Sequence, residues 1–202
     1  MTFLKGISEE EATGKVREIY EIELKNKGSV GDATKVFSLR PEFMEAWQLL
    51  NNSVKANMEE RYYLLATIVA TAGIRNTAWT LAHGAALRSK YYNSEKVEGI
   101  IRDYKNADLE PKEQALIAFA EKVLTNSHQI SQKDIDILKS HGFSEEDIFN
   151  ITLTVTSRSF FSRTVDVIGF EPPAQWLNKT ESLLGKDTFK TLNVGRLYNQ
   201  KD

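Results

Sequence analysis

Signals that start helices recur along this chain, and apolar residues at helical spacing follow each of them. Three residue pairs have the spacing of a capping box, namely Ser8 with Glu11, Ser131 with Asp134, and Ser144 with Asp147. Pro41 and Pro111 stand where a first-turn proline is tolerated, and Gly142 stands where a helix would end. No Asn-Gly or Asp-Gly turn joins two alternating runs, as a hairpin would require. This punctuation predicts a chain built from helices.

One segment argues for a strand instead. Residues 151–156 read ITLTVT, which is β-branched and alternating. They lie within residues 145–168, a stretch that begins at a cap and contains neither glycine nor proline. A single strand among helices would have no partner for its backbone groups. The segment is therefore predicted to be helical, and the chain to be an all-α bundle of about seven to eight helices.

The amino-acid composition excludes several classes of partner and site. Lys and Arg number 26 against 28 Asp and Glu, so the net charge of −2 argues against a nucleic-acid partner. The absence of cysteine excludes disulfides, zinc–thiolate sites, iron–sulfur clusters and a thiol nucleophile. The three histidines, His83, His128 and His141, include no pair four residues apart. We expect no metal site and no cofactor.

The apolar segments are short. The N-terminal residues MTFLKGISEEE contain no apolar stretch after a basic start, so no secretory signal is expected. The longest charge-free apolar run, residues 62–74, is shorter than the roughly 18 residues that suggest a membrane span. A buried core helix is expected there, with a cytoplasmic location and no membrane partner.

The length of 202 residues corresponds to one domain with an appendage. Residues 1–173 are predicted to form a single helical domain, which Pro172 and Pro173 close after Gly169. Residues 174–202 are predicted to form a C-terminal arm. Its apolar residues are Trp176, Leu177, Leu183, Leu184 and Phe189. They favour an arm that docks on its own subunit or on a neighbour.

Residues 76–88, NTAWTLAHGAALR, are the segment whose side chains are best suited to catalysis or ligand binding. On a helix, Asn76, Trp79 (or Thr80) and His83 share one face. Small residues, Ala78, Ala82, Ala85 and Ala86, occupy the opposite side and predict close packing against the helix at 62–74. His83 is either a general acid or base or a core histidine bound to a carbonyl or hydroxyl. Periodicity alone favours the core histidine.

Five segments carry a family resemblance in the same order. They are SLRPEFMEAWQLL at 38–50, AHGAALR at 82–88, EPKEQALIAFAEKV at 110–123, HGFSEEDI at 141–148 and SFFSRTVDVIGFEPP at 159–173. Over residues 8–173 the chain resembles the carboxymuconolactone decarboxylase and alkylhydroperoxidase D superfamily, in its peroxidase-related branch. The resemblance implies an all-helical fold around a helical hairpin. It also implies a homo-oligomer (dimer, trimer or hexamer) with the active site near a subunit interface.

The chain departs from this family at the catalytic motif. Peroxidase members carry Cys-x-x-Cys with a histidine four residues further on. That histidine falls on His83, but the two cysteine positions fall on Asn76 and Trp79. Reduction of a hydroperoxide needs one thiolate to attack and a second thiol to resolve the sulfenic acid. The chain therefore cannot act as a cysteine-based peroxidase.

Two further family positions also differ. The family glutamate that helps to relay protons falls on Leu64, and Glu60, one turn earlier, is a candidate substitute. The family's Asn-Arg pair reads Ser162-Arg163.

Two functions remain open. In the first, a thiol-independent enzyme like the decarboxylase branch acts on a small, acidic, ring-shaped substrate. His83 would move a proton, Asn76 would orient a carbonyl or carboxylate, and Trp79 would wall the pocket. Glu60 and Tyr63 are further candidates for contact with the substrate. Arg163 or Arg75 would pair with the carboxylate, unless Arg163 pairs with Asp166 or a glutamate of the chain itself. In the second, the chain is a catalytically silent binding or structural oligomer, with Trp79 and Tyr63 filling the site.

Overall fold

The computed structural model describes residues 2–172, and all of their regular structure is helical. The nine α-helices of this part are α1 (Gly14–Lys27), α2 (Asp32–Phe37), α3 (Pro41–Ala56), α4 (Glu60–Gly73), α5 (Thr77–Lys90), α6 (Ser94–Asp103), α7 (Pro111–Asn126), α8 (Gln132–Ser140) and α9 (Glu145–Val167). Short 3-10 helices occur at Tyr104–Asn106 and Ser127–Gln129. The all-α prediction is confirmed, and ITLTVT lies within α9. The predicted arm at 174–202 lies outside the described residues.

The sequence predicted about seven to eight helices rather than the nine of the described residues, because some helices lack a side-chain start signal. The six-residue helix α2 follows Gly31, which has no side chain to cap it. The predicted caps at Ser131 and Ser144 form, and Pro41 and Pro111 open α3 and α7. The Ser8–Glu11 pair also makes both capping-box bonds, but it closes a turn ahead of α1.

The described chain separates into two compact units, and the first comprises residues 2–53 and 164–171. Its small core contains Ala12, Val16, Tyr20 and Val30. The Phe3 backbone N–H donates to the Ile168 carbonyl at 2.8 Å. Gly169 allows this approach, since it has φ of 76° and a Cβ there would come within 2.8 Å of the Phe3 ring. The prediction of a single domain over 1–173 stays a prediction.

The second unit comprises residues 54–163 with Pro172 and has α4 at its centre. Helix α4 packs on α5 and α7. Its buried residues are Tyr63, Leu64, Leu65, Ala66, Thr67, Ile68, Ala70 and Thr71. Such a helix is covered on nearly all sides, as an all-round apolar sequence requires. As predicted, this helix is buried and packs against α5, the helix that contains His83.

A buried carboxylate anchors the start of α7. Glu113 is 1% exposed, and its Oε2 accepts from the Glu110 backbone N–H at 3.1 Å in a capping box. Its Oε1 lies 3.2 Å from Arg61 Nη1 and also accepts from the Tyr92 hydroxyl. A cation, a phenol and a backbone amide thus satisfy one buried charge.

Among residues 2–172, no helix is both long enough and apolar enough to cross a membrane.

Candidate functional site

Asn76 joins the start of α5 to α9. As the N-cap residue it accepts a hydrogen bond at Oδ1 from the Trp79 backbone N–H at 2.9 Å. Its Nδ2 donates to the Ser162 carbonyl at 3.3 Å, and its backbone N–H donates to the Thr71 carbonyl at 2.9 Å. Both ends of the amide are therefore bound to protein groups. The structure gives this side chain, 1% exposed, a helix-capping and cross-linking role.

Two aromatic rings flank His83, which lies one helical turn after Trp79 on α5. The imidazole and indole centroids are 6.2 Å apart with an interplanar angle of 32°. The Tyr63 ring of α4 stands edge-on to the imidazole at 6.3 Å and 84°. His83 is partly buried, but its Nε2 has no accessible surface and no hydrogen-bond partner among the described residues. The bond expected of a core histidine is therefore not made at Nε2.

A buried arginine contacts the hydroxyl of Tyr63. Arg158 of α9 is 8% exposed, and its Nε donates to the Tyr63 hydroxyl at 2.9 Å. Its Nη2 donates to the same oxygen. These are charged hydrogen bonds, and the guanidinium carbon also lies 5.6 Å from the centroid of the Tyr63 ring. Lys55, an exposed residue, adds a second cation 5.7 Å from the Tyr63 centroid.

These surroundings keep His83 neutral. Burial lowers the pKa of His83 well below 6.5, and the positive charges of Arg158 and Lys55 lower it further. The imidazole therefore has no proton to give as a resident acid at pH 7. At pH 7 it binds a proton only if a negative charge beside it raises its pKa.

Acid should unfold the wild type more readily than a His83→Gln variant. Below pH 6.5 the unfolded histidine binds a proton that the folded one does not, so stability falls as the pH falls. The slope from this one group is about 1.4 kcal/mol per pH unit, down to the folded pKa. Urea unfolding of both proteins from pH 7 downward measures it. Parallel stability curves would contradict a depressed pKa.

The other predicted site residues lie apart from this group. Glu60 is exposed, pairs with Lys90 and accepts from the Tyr91 hydroxyl at 3.0 Å. Leu64, at the family glutamate position, belongs to the apolar core at 4% exposure. Arg163 is exposed. Among the described residues, neither Glu60 nor Arg163 contacts His83 in the way that Tyr63 and Trp79 do.

Sequence reasoning missed Arg158, although a signal for it existed. Residues spaced four and three apart on α9 are all buried, namely Ile151, Val155, Arg158, Ser162 and Val165. An arginine within such an apolar stripe must face the protein interior, where a charge needs a polar partner. Arg163 attracted attention only because it fell on the family motif.

The described residues contain no group of three or more His, Asp or Glu side chains that could hold a metal ion.

Solved structures show which fold this is. A peroxidase-related protein from Ralstonia eutropha, described as an alkylhydroperoxidase AhpD core, superposes with a TM-score of 0.75 at 20% identity, over 87% of this chain and 94% of that one. A peroxidase-related protein from Silicibacter gives 0.72 at 20% identity, over 88% and 92%. The debrominase Bmp8, as a Cys→Ala variant in complex with 2,3,4-tribromopyrrole, gives 0.68 at 17% identity, over 91% and 98%.

No family model and no curated protein matches the sequence. The structural likenesses show that the chain has the alkylhydroperoxidase D-like fold, and it has this fold without any cysteine.

Proposed function

We propose that this alkylhydroperoxidase D-like chain is a thiol-independent acid–base enzyme acting on a small, ring-shaped carboxylate. Its binding group is the Arg158–Tyr63 pair, and its proton acceptor is His83. The observation that carries the proposal is the convergence of a buried arginine, a phenol and a neutral imidazole in a chain without thiols.

The charge of the site supports an anionic ligand. Arg158 is buried and Lys55 is exposed, and both act on His83 as positive charges. A guanidinium and a phenol together present N–H and O–H donors, which suit the two oxygens of a carboxylate. The flanking rings of Tyr63 and Trp79 give the site the flat apolar walls that a ring-shaped ligand would contact.

The proton chemistry follows from the same charges. In the free protein His83 is neutral because burial and two cations lower its pKa. A bound carboxylate offsets those cations, so the pKa of His83 rises. The imidazole then takes up a proton from solvent and donates it to the reacting ligand, which leaves His83 neutral again.

The debrominase with this fold supports a small ring compound as the ligand. Its Cys→Ala variant is found in complex with 2,3,4-tribromopyrrole, so that protein holds a small ring without that cysteine. A pocket of this fold can thus retain ligand binding when a thiol is lost.

A silent binding or structural oligomer is the second candidate. The observations that favour it are the burial of His83 Nε2 and the position of the Trp79 indole beside the imidazole. Trp79 also contacts Phe161 at a centroid distance of 6.0 Å, so the indole lies beside two other rings. In this account the chain would act through self-association in the cytoplasm and would bind no carboxylate.

Calorimetry with benzoate and benzamide separates the two candidates. The acid–base proposal predicts that benzoate binds, that its uncharged amide binds far more weakly, and that binding takes up a proton. Titrations in buffers of different ionisation enthalpy measure the proton uptake. His83→Gln should keep benzoate binding and lose the proton uptake. If neither compound binds the wild type, the silent candidate is supported instead.

A further inference from the structure

Several buried polar atoms without a protein partner belong to three helices, α4, α5 and α9. Three hydroxyls, those of Thr67, Thr80 and Ser162, belong to residues that are 0% exposed and make no hydrogen bond within the described chain. The Nε2 of His83 and the hydroxyl of Thr77 are also buried and also lack a hydrogen-bond partner within the described chain. Buried polar groups nearly always have a partner, which is either protein or ordered water.

Other hydroxyls of the same helices do find a partner. Thr71 on α4 donates to the Thr67 carbonyl at 3.0 Å, and Thr154 on α9 donates to the Asn150 carbonyl at 2.8 Å. Both are as deeply buried as Thr67. Bonding to the carbonyl four residues back is the usual way for a threonine to satisfy itself in a helix. Thr67 and Thr80 make no such bond.

The register of α4 and α5 brings the unsatisfied groups together. Near the α4–α5 turn, the Thr71 carbonyl accepts a hydrogen bond from the Asn76 backbone N–H. Farther from the turn, the Tyr63 ring contacts the His83 ring. Thr67 lies midway between the two α4 positions, and Thr80 lies between the two α5 positions. Because the helices run antiparallel, the two threonines occupy the same level.

Helix α9 adds the Ser162 hydroxyl to the unpartnered hydroxyls of Thr67 and Thr80. The Asn76 side chain holds the Ser162 carbonyl at 3.3 Å, and Arg158, one turn earlier, holds the Tyr63 hydroxyl. Ser162 therefore carries the cross-link to the start of α5, and Arg158 carries the cross-link to α4. The Thr77 hydroxyl, in the first residue of α5, extends the set toward the α4–α5 turn.

We infer that Thr67, Thr80, Ser162 and His83 Nε2 together bind internal water molecules between α4, α5 and α9. Each such water would find two to four polar partners, which is what stable buried hydration requires. These waters give His83 Nε2 its hydrogen-bond partner. They also give a buried imidazole a route for proton exchange toward Thr77 and the α4–α5 turn. The inference does not depend on the proposed carboxylate ligand.

Water-to-protein NOE and ROE spectra of the isotope-labelled wild type test this inference. We expect cross-peaks from long-lived water to amide and methyl protons around Thr67 and Thr80. Thr67→Val and Thr80→Val should lose them, since valine keeps the shape and removes the hydroxyl. Thr71→Val is the matched control, because the Thr71 hydroxyl is satisfied by its own helix, and it should keep them.

The wild-type spectrum decides the question even if a variant does not fold. Absence of long-lived water signals around Thr67 and Thr80 would overturn the inference. A higher Tm for both Thr67→Val and Thr80→Val would also overturn it, because exchanging a dry, unpartnered hydroxyl for a methyl group stabilises a protein. These measurements use no benzoate, so they can be interpreted even if the carboxylate proposal fails.

Discussion

Arg158→Gln is expected to weaken benzoate binding about a hundredfold. Losing one partner of a buried charged interaction typically costs about 2–5 kcal/mol, and each 1.4 kcal/mol is about tenfold in affinity. Arg158 is 8% exposed and contacts the Tyr63 hydroxyl through two nitrogens, so glutamine replaces neither its charge nor its paired donors. Calorimetric titration with benzoate measures the change.

Two other arginines make this test specific. Arg163→Gln removes the exposed arginine five residues later on α9, which the sequence offered, alongside Arg75, as a carboxylate partner. Arg102→Gln removes an exposed arginine of α6 that pairs with Glu98, and it controls for the loss of one positive charge. Both should leave benzoate affinity within about threefold, as expected for exposed charges. If Arg163→Gln weakened binding more than Arg158→Gln did, the assignment of Arg158 would be wrong.

Glu113→Ala is expected to lower the free energy of unfolding by about 3–5 kcal/mol, the range for removing one partner of a buried ion pair. The substitution leaves the Arg61 guanidinium and the Tyr92 hydroxyl without their shared acceptor. It also removes the side chain that caps the Glu110 backbone N–H at the start of α7. Urea unfolding monitored by circular dichroism gives the free energy.

Glu121→Ala is the control on the same helix. Glu121 is exposed and accepts from the Tyr104 hydroxyl at 2.9 Å, so its loss should cost about 1 kcal/mol or less. Equal effects of the two substitutions would show that the buried carboxylate contributes no more than a surface one.

The fold could be predicted because its local signals agree with one another. Pro41 and Pro111 open helices, the Ser131 box forms, and the apolar run at 62–74 falls on the buried helix α4 and its C-cap. The ITLTVT segment was read correctly only when its context outweighed its β-propensity. Capping chemistry did not locate every boundary, since the Ser8 box closes a turn ahead of α1.

The candidate site was only partly predictable. Helical spacing placed Trp79 beside His83, and the prediction that α5 packs on α4 placed Tyr63 beside them. Long-range contacts carry no local signal, so the cross-link from Asn76 to α9 and the contact of Arg158 with Tyr63 were not foreseen. Glu60 was a candidate substitute for the family's proton-relay glutamate, and its carboxylate pairs with Lys90 at an exposed position.

The central claim is that a neutral His83 lies next to a carboxylate-binding pair. Proton and nitrogen NMR of histidine-labelled protein tests it, because the chain has three histidines and His83→Gln assigns the signal. In the free protein, the His83 ring should stay neutral as the pH falls through 6.5, and saturating benzoate should raise its pKa. A His83 that titrates at 6.5 or above in the free protein, and that does not respond to benzoate, would contradict the account.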